Sequence, residues 1–156
     1  MPGEGKGPRD DIMLGDMLCF ALYSASHAFT RFYKPMLDHL GLTYPQFLVV
    51  VALGEADDQT VGQISARLLL DSATVTPLLK RLEGARLLTR RRDPHDERQV
   101  RVALTAAGRE TLAQLSLVPA CVTAQLAQPV TELRALKDRV DALRVALDAA
   151  PIASNG

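Results

Sequence analysis

The sequence predicts a mostly α-helical chain with a small β-hairpin. Apolar residues recur at steps of three and four over most of the length, the period of amphipathic helices. In one stretch Val100, Val102 and Leu104 alternate with Arg101 and Ala103, the period of a half-buried strand. Pro, Gly and Asp residues punctuate these runs and divide them into elements.

The elements follow in order. Residues 1–11 and 151–156 read as polar, Gly- and Pro-containing tails around a folded region at 12–150. Leu14, Met17, Leu18, Ala21, Leu22, Ala25, Phe29 and Phe32 form the stripe of one long helix, ended or kinked by Pro35 and Gly41. Thr43 reads as an N-cap with Pro45 just inside the next helix, which stops near Asp57-Asp58. Two short helices come next: about Val61 to Leu69, then one capped by Asp71 or Ser72 and closed by a C′ glycine, Gly84. Leu87–Arg92 and Gln99–Leu104 read as strands around a charged turn containing Pro94. Thr105 to about Val118 is helical again, and Pro119 and Pro129 punctuate the segment beyond it. Leu133, Leu136, Val140, Leu143 and Leu147 then step as a coiled-coil-like seam, too short to stand without a partner helix.

Composition bounds the function. The chain has 156 residues, 47% hydrophobic and 23% charged, enough for one domain with one core. Its 18 Lys plus Arg balance 18 Asp plus Glu, so any grip on nucleic acid or membrane must be local. No apolar run is long enough to span a bilayer. The polar start, Pro2 to Pro8, lacks a signal-type apolar run, which predicts a cytoplasmic chain. His27, His39 and His95 do not fall at metal-ligand spacing, and no Gly-rich phosphate loop is present, so no metal or cofactor is expected.

The local patch is at residues 80–101. This window holds Lys80, Arg81, Arg86, Arg90, Arg91, Arg92, Arg98 and Arg101 against Glu83, Asp93, Asp96 and Glu97. A charge run is usually a solvated face. Here it lies on a short helix that follows another after a tight turn and leads directly into a hairpin. A helix-turn-helix with a β-wing docks on DNA by placing the second helix in the major groove, and a wing Arg can reach the adjacent minor groove. The helix offers Ser72, Thr74, Thr76, Lys80 and Arg81; the wing offers Arg91, Asp96 and Arg98.

Asp96-Glu97-Arg98, with Val100, Val102, Leu104-Thr105 and Gly108, resembles the wing signature of the MarR-type winged helix-turn-helix regulators. Asp71 to Leu82 resembles their recognition helix. The resemblance implies an intertwined homodimer, with helices in 12–41 and 106–150 forming the interface and 43–105 forming the DNA-binding lobe. Each lobe would read half of a pseudo-palindromic double-stranded operator. Arg98 would enter the minor groove, its guanidinium steered by paired hydrogen bonds from Asp96.

Three further pieces, Leu18-Cys19-Phe20-Ala21-Leu22-Tyr23, Tyr33-Lys34-Pro35 and Leu42-Thr43-Tyr44-Pro45-Gln46, resemble the organic hydroperoxide-resistance repressors of that family. The resemblance implies that Cys19 senses the peroxide and that the hydroxyls of Tyr33 and Tyr44 engage its sulfur. Cys121 would resolve the oxidised Cys19 through a disulfide between subunits; otherwise it is a structural cysteine. Cys19 and Tyr33 are 14 residues apart. On a straight helix they share a face but stand roughly 21 Å apart along the axis, so contact needs a partner subunit or a sharp bend. A thiolate is the reactive form. A helix capped at Asp16 would put Cys19 at N3, where backbone N–H groups and the dipole favour an anion. A helix starting at Asp10 or Asp11 would leave that work to the tyrosines.

The expected function is a repressor released from its operator by organic hydroperoxide. One alternative keeps the DNA role and replaces the oxidant with a non-covalent aromatic or phenolic ligand. Another is a thiol peroxidase using Cys19, for which an Arg-rich wing has no use.

Overall fold

The computed structural model describes residues 12–151. The tails expected at 1–11 and 151–156 lie outside these residues, except for Pro151. A 3-10 turn at Leu14–Asp16 is followed by α1 (Leu18–Asp38), α2 (Tyr44–Glu55), β1 (Gln59–Thr60), α3 (Val61–Leu68), α4 (Ser72–Gly84), β2 (Leu88–Arg92), β3 (Val100–Leu104), α5 (Ala106–Leu115), α6 (Val118–Gln125) and α7 (Val130–Ala149). Contacts divide the chain into two units, the first running to Leu112 and the second starting at Ala113.

In the first unit each short helix starts on its own capping chemistry. The Thr43 backbone N–H donates to Gln46 Oε1 at 2.9 Å ahead of α2. Thr60 and Gln63 cap α3 reciprocally: Gln63 N–H donates to Thr60 Oγ1 at 3.2 Å, and Thr60 N–H donates to Gln63 Oε1 at 2.8 Å. Asp71 Oδ1 accepts from Thr74 N–H at 2.7 Å ahead of α4. The α3–α4 turn passes through Leu69, which adopts the left-handed conformation at φ 56°.

The sheet has three antiparallel strands in the order β1-β3-β2. Leu88 pairs with Leu104 and Arg92 with Val100 across the hairpin, while Gln59 and Thr60 pair with Val102 and Arg101. Strand β1 was not legible as a strand, because two residues carry no alternation. The buried Gln59 side chain holds the end of α2, donating to the carbonyls of Ala52 and Ala56.

One core joins these elements. Val49, Val50 and Leu53 of α2, Ile64 of α3, Val75, Leu79 and Leu82 of α4, Leu88 of β2 and Val102 of β3 are each at most 1% exposed. Burying each such side chain contributes roughly 1.5–3 kcal/mol. Tyr33 and Leu37 bring the end of α1 to this lobe, Tyr33 by stacking near Phe47 and Leu37 by burial. In the second unit no residue of α7 is buried.

Three expectations are corrected. Asp16 does not cap α1. It ends the 3-10 turn, and Met17, in extended conformation, takes the N-cap position without a side-chain bond. A continuous helix from Asp10 or Asp11 is likewise excluded by this break. Gly84 is not the left-handed residue closing α4; Arg86 is, at φ 62°. There Leu87 N–H reaches back to Leu82 O at 3.0 Å, which closes the turn without glycine.

Gly108 does have a steric role. A Cβ there would overlap the Leu87 carbonyl oxygen, which accepts from Thr105 N–H at 3.1 Å. Gly108→Ala should therefore destabilise the protein by about 1–3 kcal/mol in a denaturant titration. Gly84→Ala, where the added methyl meets open space, should be neutral or stabilising.

Candidate nucleic-acid interface and thiol site

Helix α4 presents one end of the candidate interface. Its three small hydroxyls are already organised by the protein. Ser72 Oγ lies 3.4 Å from Ser65 Oγ, Thr74 Oγ1 donates to Asp71 Oδ2 at 3.1 Å, and Thr76 Oγ1 donates to the Ser72 carbonyl at 2.7 Å. Each oxygen keeps acceptor capacity, but the rotamers are fixed locally. Lys80 and Arg81 are exposed and form no ion pair among the described residues.

The wing is organised around Asp93, which sequence reasoning passed over as part of a charged turn. Asp93 is 7% exposed. Its Oδ1 accepts from the backbone N–H of His95 at 2.7 Å and of Asp96 at 3.3 Å, and its Oδ2 accepts from Arg101 Nη1 at 2.9 Å. The Arg101 guanidinium, and then the His95 N–H, hold the Asp93 carboxyl down at about 2. Asp-Pro at the head of the turn was the available signal, since Asp binds backbone N–H groups just downstream of itself. Asp93 N–H and Gln99 O close the loop at 2.9 Å.

At the tip, Asp96 and Arg98 are bonded to each other. Arg98 donates to Asp96 from its backbone N–H at 3.1 Å and from Nε at 3.1 Å, with a longer contact from Nη2. Arg98 is 91% exposed at its side chain, so the guanidinium is paired with Asp96 yet open to solvent. Arg91 behaves differently. Its Nη2 donates to both carboxylate oxygens of Asp58 at 2.8 Å. Arg90 joins the wing to α4 through Glu83, at 2.8 Å from Nε and 2.6 Å from Nη2. Neither acid was singled out from sequence, because these pairings span loops that only the fold closes.

An open cleft of about 410 Å³ lies among these groups. Thr60 and Gly62 at the start of α3, Ser72 and Thr76 on α4, and Arg98 and Gln99 of the wing line it. Thus the two helices and the wing converge on one concave face.

The thiol site is split. Cys19 is the second residue of α1, an exposed free thiol in the first turn, one position nearer the N-terminus than a cap at Asp16 would put it. Tyr33 and Tyr44 come together at the far end of α1, with ring centroids 5.1 Å apart, and Phe47 completes the cluster. Because α1 is helical throughout Leu18–Asp38, Cys19 and Tyr33 stand roughly 21 Å apart along its axis. Burial raises both tyrosine hydroxyls above their ordinary range, with Tyr44 adding to the effect on Tyr33. Both are therefore neutral donors at neutral pH. Cys121, on α6, is also free and exposed. Among the described residues no group of three or more His, Cys, Asp or Glu could hold a metal ion.

Residues 31–115 match the model of the transcriptional regulator SarA/Rot family. The chain belongs to this family of MarR-like winged-helix regulators. The regulator is 44% identical over 143 residues to the HTH-type transcriptional regulator TtmR of Methylorubrum extorquens, covering 92% of this chain and 73% of that protein. It is 40% identical over 128 residues to the organic hydroperoxide resistance transcriptional regulator of Bacillus subtilis, covering 82% and 87%. A structure of reduced AbfR bound to DNA superposes with a TM-score of 0.76 at 36% identity, covering 86% of this chain and 92% of that one. A disulfide-formed AbfR superposes at 0.61 with 34% identity, covering 83% and 91%. AbfR is a protein of Staphylococcus epidermidis. These relatives are regulators, and no enzyme family is indicated for the chain. No described helix is long and apolar enough to cross a membrane.

The wing's acid response has a definite sign. Asp93 is depressed in the folded protein, so its contribution to stability is complete above the ordinary carboxyl value of 3.8 and is lost as pH falls towards about 2. The melting temperature of the native regulator should therefore drop between about pH 4 and pH 2. Asp93→Asn should melt lower at neutral pH and follow a flatter acid limb.

Proposed function

We propose that the protein is a homodimeric, redox-sensing transcriptional repressor, bound to operator DNA when Cys19 is reduced and released when an organic hydroperoxide oxidises it. The observation that carries this reading is the pairing of Tyr33 with Tyr44 a helix's length from Cys19. Two phenol donors gathered at one end of α1 and a thiol at the other make a complete site only when a second α1 supplies the missing half. Exposed apolar residues support that second copy: Leu18 and Phe29 on α1, and Leu136, Val140 and Leu147 on α7. Leu136, Val140 and Leu147 belong to the seam expected from sequence, which needs a partner helix.

In the chemistry proposed, the Cys19 thiolate attacks the distal oxygen of the hydroperoxide. The O–O bond breaks, an alcohol leaves after taking a proton, and Cys19 becomes a sulfenic acid. The Cys121 thiol of the second subunit then attacks that sulfur. An S–S bond forms and water departs, carrying the sulfenic oxygen, so the peroxide is reduced by two electrons. The disulfide-formed state of AbfR supports such a step in a related regulator. Apolar Leu18 and Phe20 flank Cys19 and favour organic over hydrogen peroxide.

DNA docking places α4 in the major groove, with Ser72, Thr74, Thr76, Lys80 and Arg81 facing it and Arg98, aimed by Asp96, in the minor groove. The structure of reduced AbfR bound to DNA supports DNA as the partner. Lys and Arg contacts to phosphate supply much of the affinity, and the wing and helix residues place it in register.

A gel shift with a selected DNA duplex, with and without cumene hydroperoxide, tests the switch. Native protein should lose binding on oxidation and show a dimer-sized band on a non-reducing gel. Cys19→Ser should bind and ignore the oxidant, and Cys121→Ser should form no such band. Release of Cys19→Ser by the peroxide would overturn the thiol mechanism. Arg98→Ala should weaken binding by about 1–3 kcal/mol, read from the same titration.

A further inference from the structure

Arg91 and Arg101 stand directly opposite one another in the β2–β3 ladder. Like charges at directly opposed positions repel and destabilise the pair. One carboxylate answers both. Asp58 accepts from Arg91 Nη2 on its two oxygens at 2.8 Å, while Arg101 Nε lies 3.3 Å from Asp58 Oδ2. Arg101 Nη2 also donates to the Asp58 carbonyl oxygen at 2.6 Å. Asp58 is set for this by its backbone, left-handed at φ 53°, a conformation Asp tolerates better than most residues. Its neighbour Asp57 fixes the same turn, accepting from Leu104 N–H at 2.9 Å and from Arg109 Nη1 at 3.0 Å. The α2–β1 turn is thereby bonded to both wing strands.

We propose that Asp58 is a positioning and specificity-determining residue for DNA binding: it is the counterion of the Arg91–Arg101 pair and keeps Arg91 off the DNA backbone. This inference rests on the reading of the winged lobe as a DNA-binding module. The sequence groups Arg91 with Arg98 as wing contacts, but the geometry separates them. Arg98 is oriented by one acid at the tip and left exposed. Arg91, half-exposed, is bonded through Nη2 to both oxygens of an acid in the α2–β1 turn, and Arg101 continues from that acid to the buried Asp93. Asp93 in turn takes the Asp96 N–H, so the chain of bonds from Asp58 ends at the residue that aims Arg98. Selectivity follows from this division. A phosphate contact binds all sequences alike, so withholding a cation from phosphate lowers non-specific affinity and leaves the groove contact its share of the total.

The test is the salt dependence of binding, measured on a mixed-sequence duplex and on a duplex selected from a random pool by the native protein. Each phosphate contact adds about 0.9 to the slope of log K against log salt. Asp58→Asn should steepen the slope by about one such contact, tighten binding to mixed sequence several-fold at low salt and narrow the preference for the selected duplex. Arg91→Gln in the native background should leave the slope unchanged, and Asp58→Asn combined with Arg91→Gln should restore the native slope. The Arg91→Gln comparison does not depend on Asp58→Asn folding well. A slope lowered by about one contact in Arg91→Gln alone would mean that Arg91 already sits on phosphate, which overturns the proposal. An unchanged slope in folded Asp58→Asn does the same. If the native protein binds neither duplex, it is the DNA-binding reading that fails.

Discussion

A straight helix keeps residues a fixed distance apart, and that constraint governs the thiol site. Cys19 and Tyr33 share a face of α1 but are separated by nearly four turns. No rotamer of either residue spans roughly 21 Å. Any contact between this thiol and the Tyr33–Tyr44 pair must therefore come from another chain.

The wing solves a different problem. A loop that presents an arginine to solvent gains little from burial, so it must be stiffened by hydrogen bonds. Asp93 does this from below, with one nearly buried carboxylate spanning two backbone N–H groups and the Arg101 guanidinium. Isolated exposed ion pairs contribute little. This one is buried on its acidic side and belongs to a chain through Asp58, so it fixes the geometry of the loop as well as contributing to stability. Glu83 and Arg90 add a second tie, between α4 and β2. The helix and the wing are thus joined both by their shared core and by paired charges.

The two functional regions draw on the same lobe. Tyr33, Tyr44 and Phe47 lie where α1 meets α2, and α2 carries Val49, Val50 and Leu53 into the core shared with α4. Helix α2 thus lies between the tyrosine cluster and the helix that carries Lys80 and Arg81, packed directly against the latter.

The sequence by itself determined the hairpin, the order of the elements and most helix bounds, because period and capping are local properties; it did not show the break between α5 and α6. Thr43, Thr60 and Asp71 sit at helix starts for reasons visible within four residues of each. It also marked Cys19, Tyr33, Tyr44, Asp96 and Arg98 through motifs that keep their spacing. Tertiary structure alone decided what pairs across long loops. Asp58 meets Arg91 over 33 residues and Arg101 over 43, and no local pattern distinguishes a structural carboxylate from a solvated one. β1 exists only because β3 offers it an edge, and the start of α1 was set by the extended Met17 rather than by the nearest capping residue. The meeting of Tyr33 with Tyr44 likewise depended on how α1 packs on α2, a matter of which faces are buried once the whole core closes.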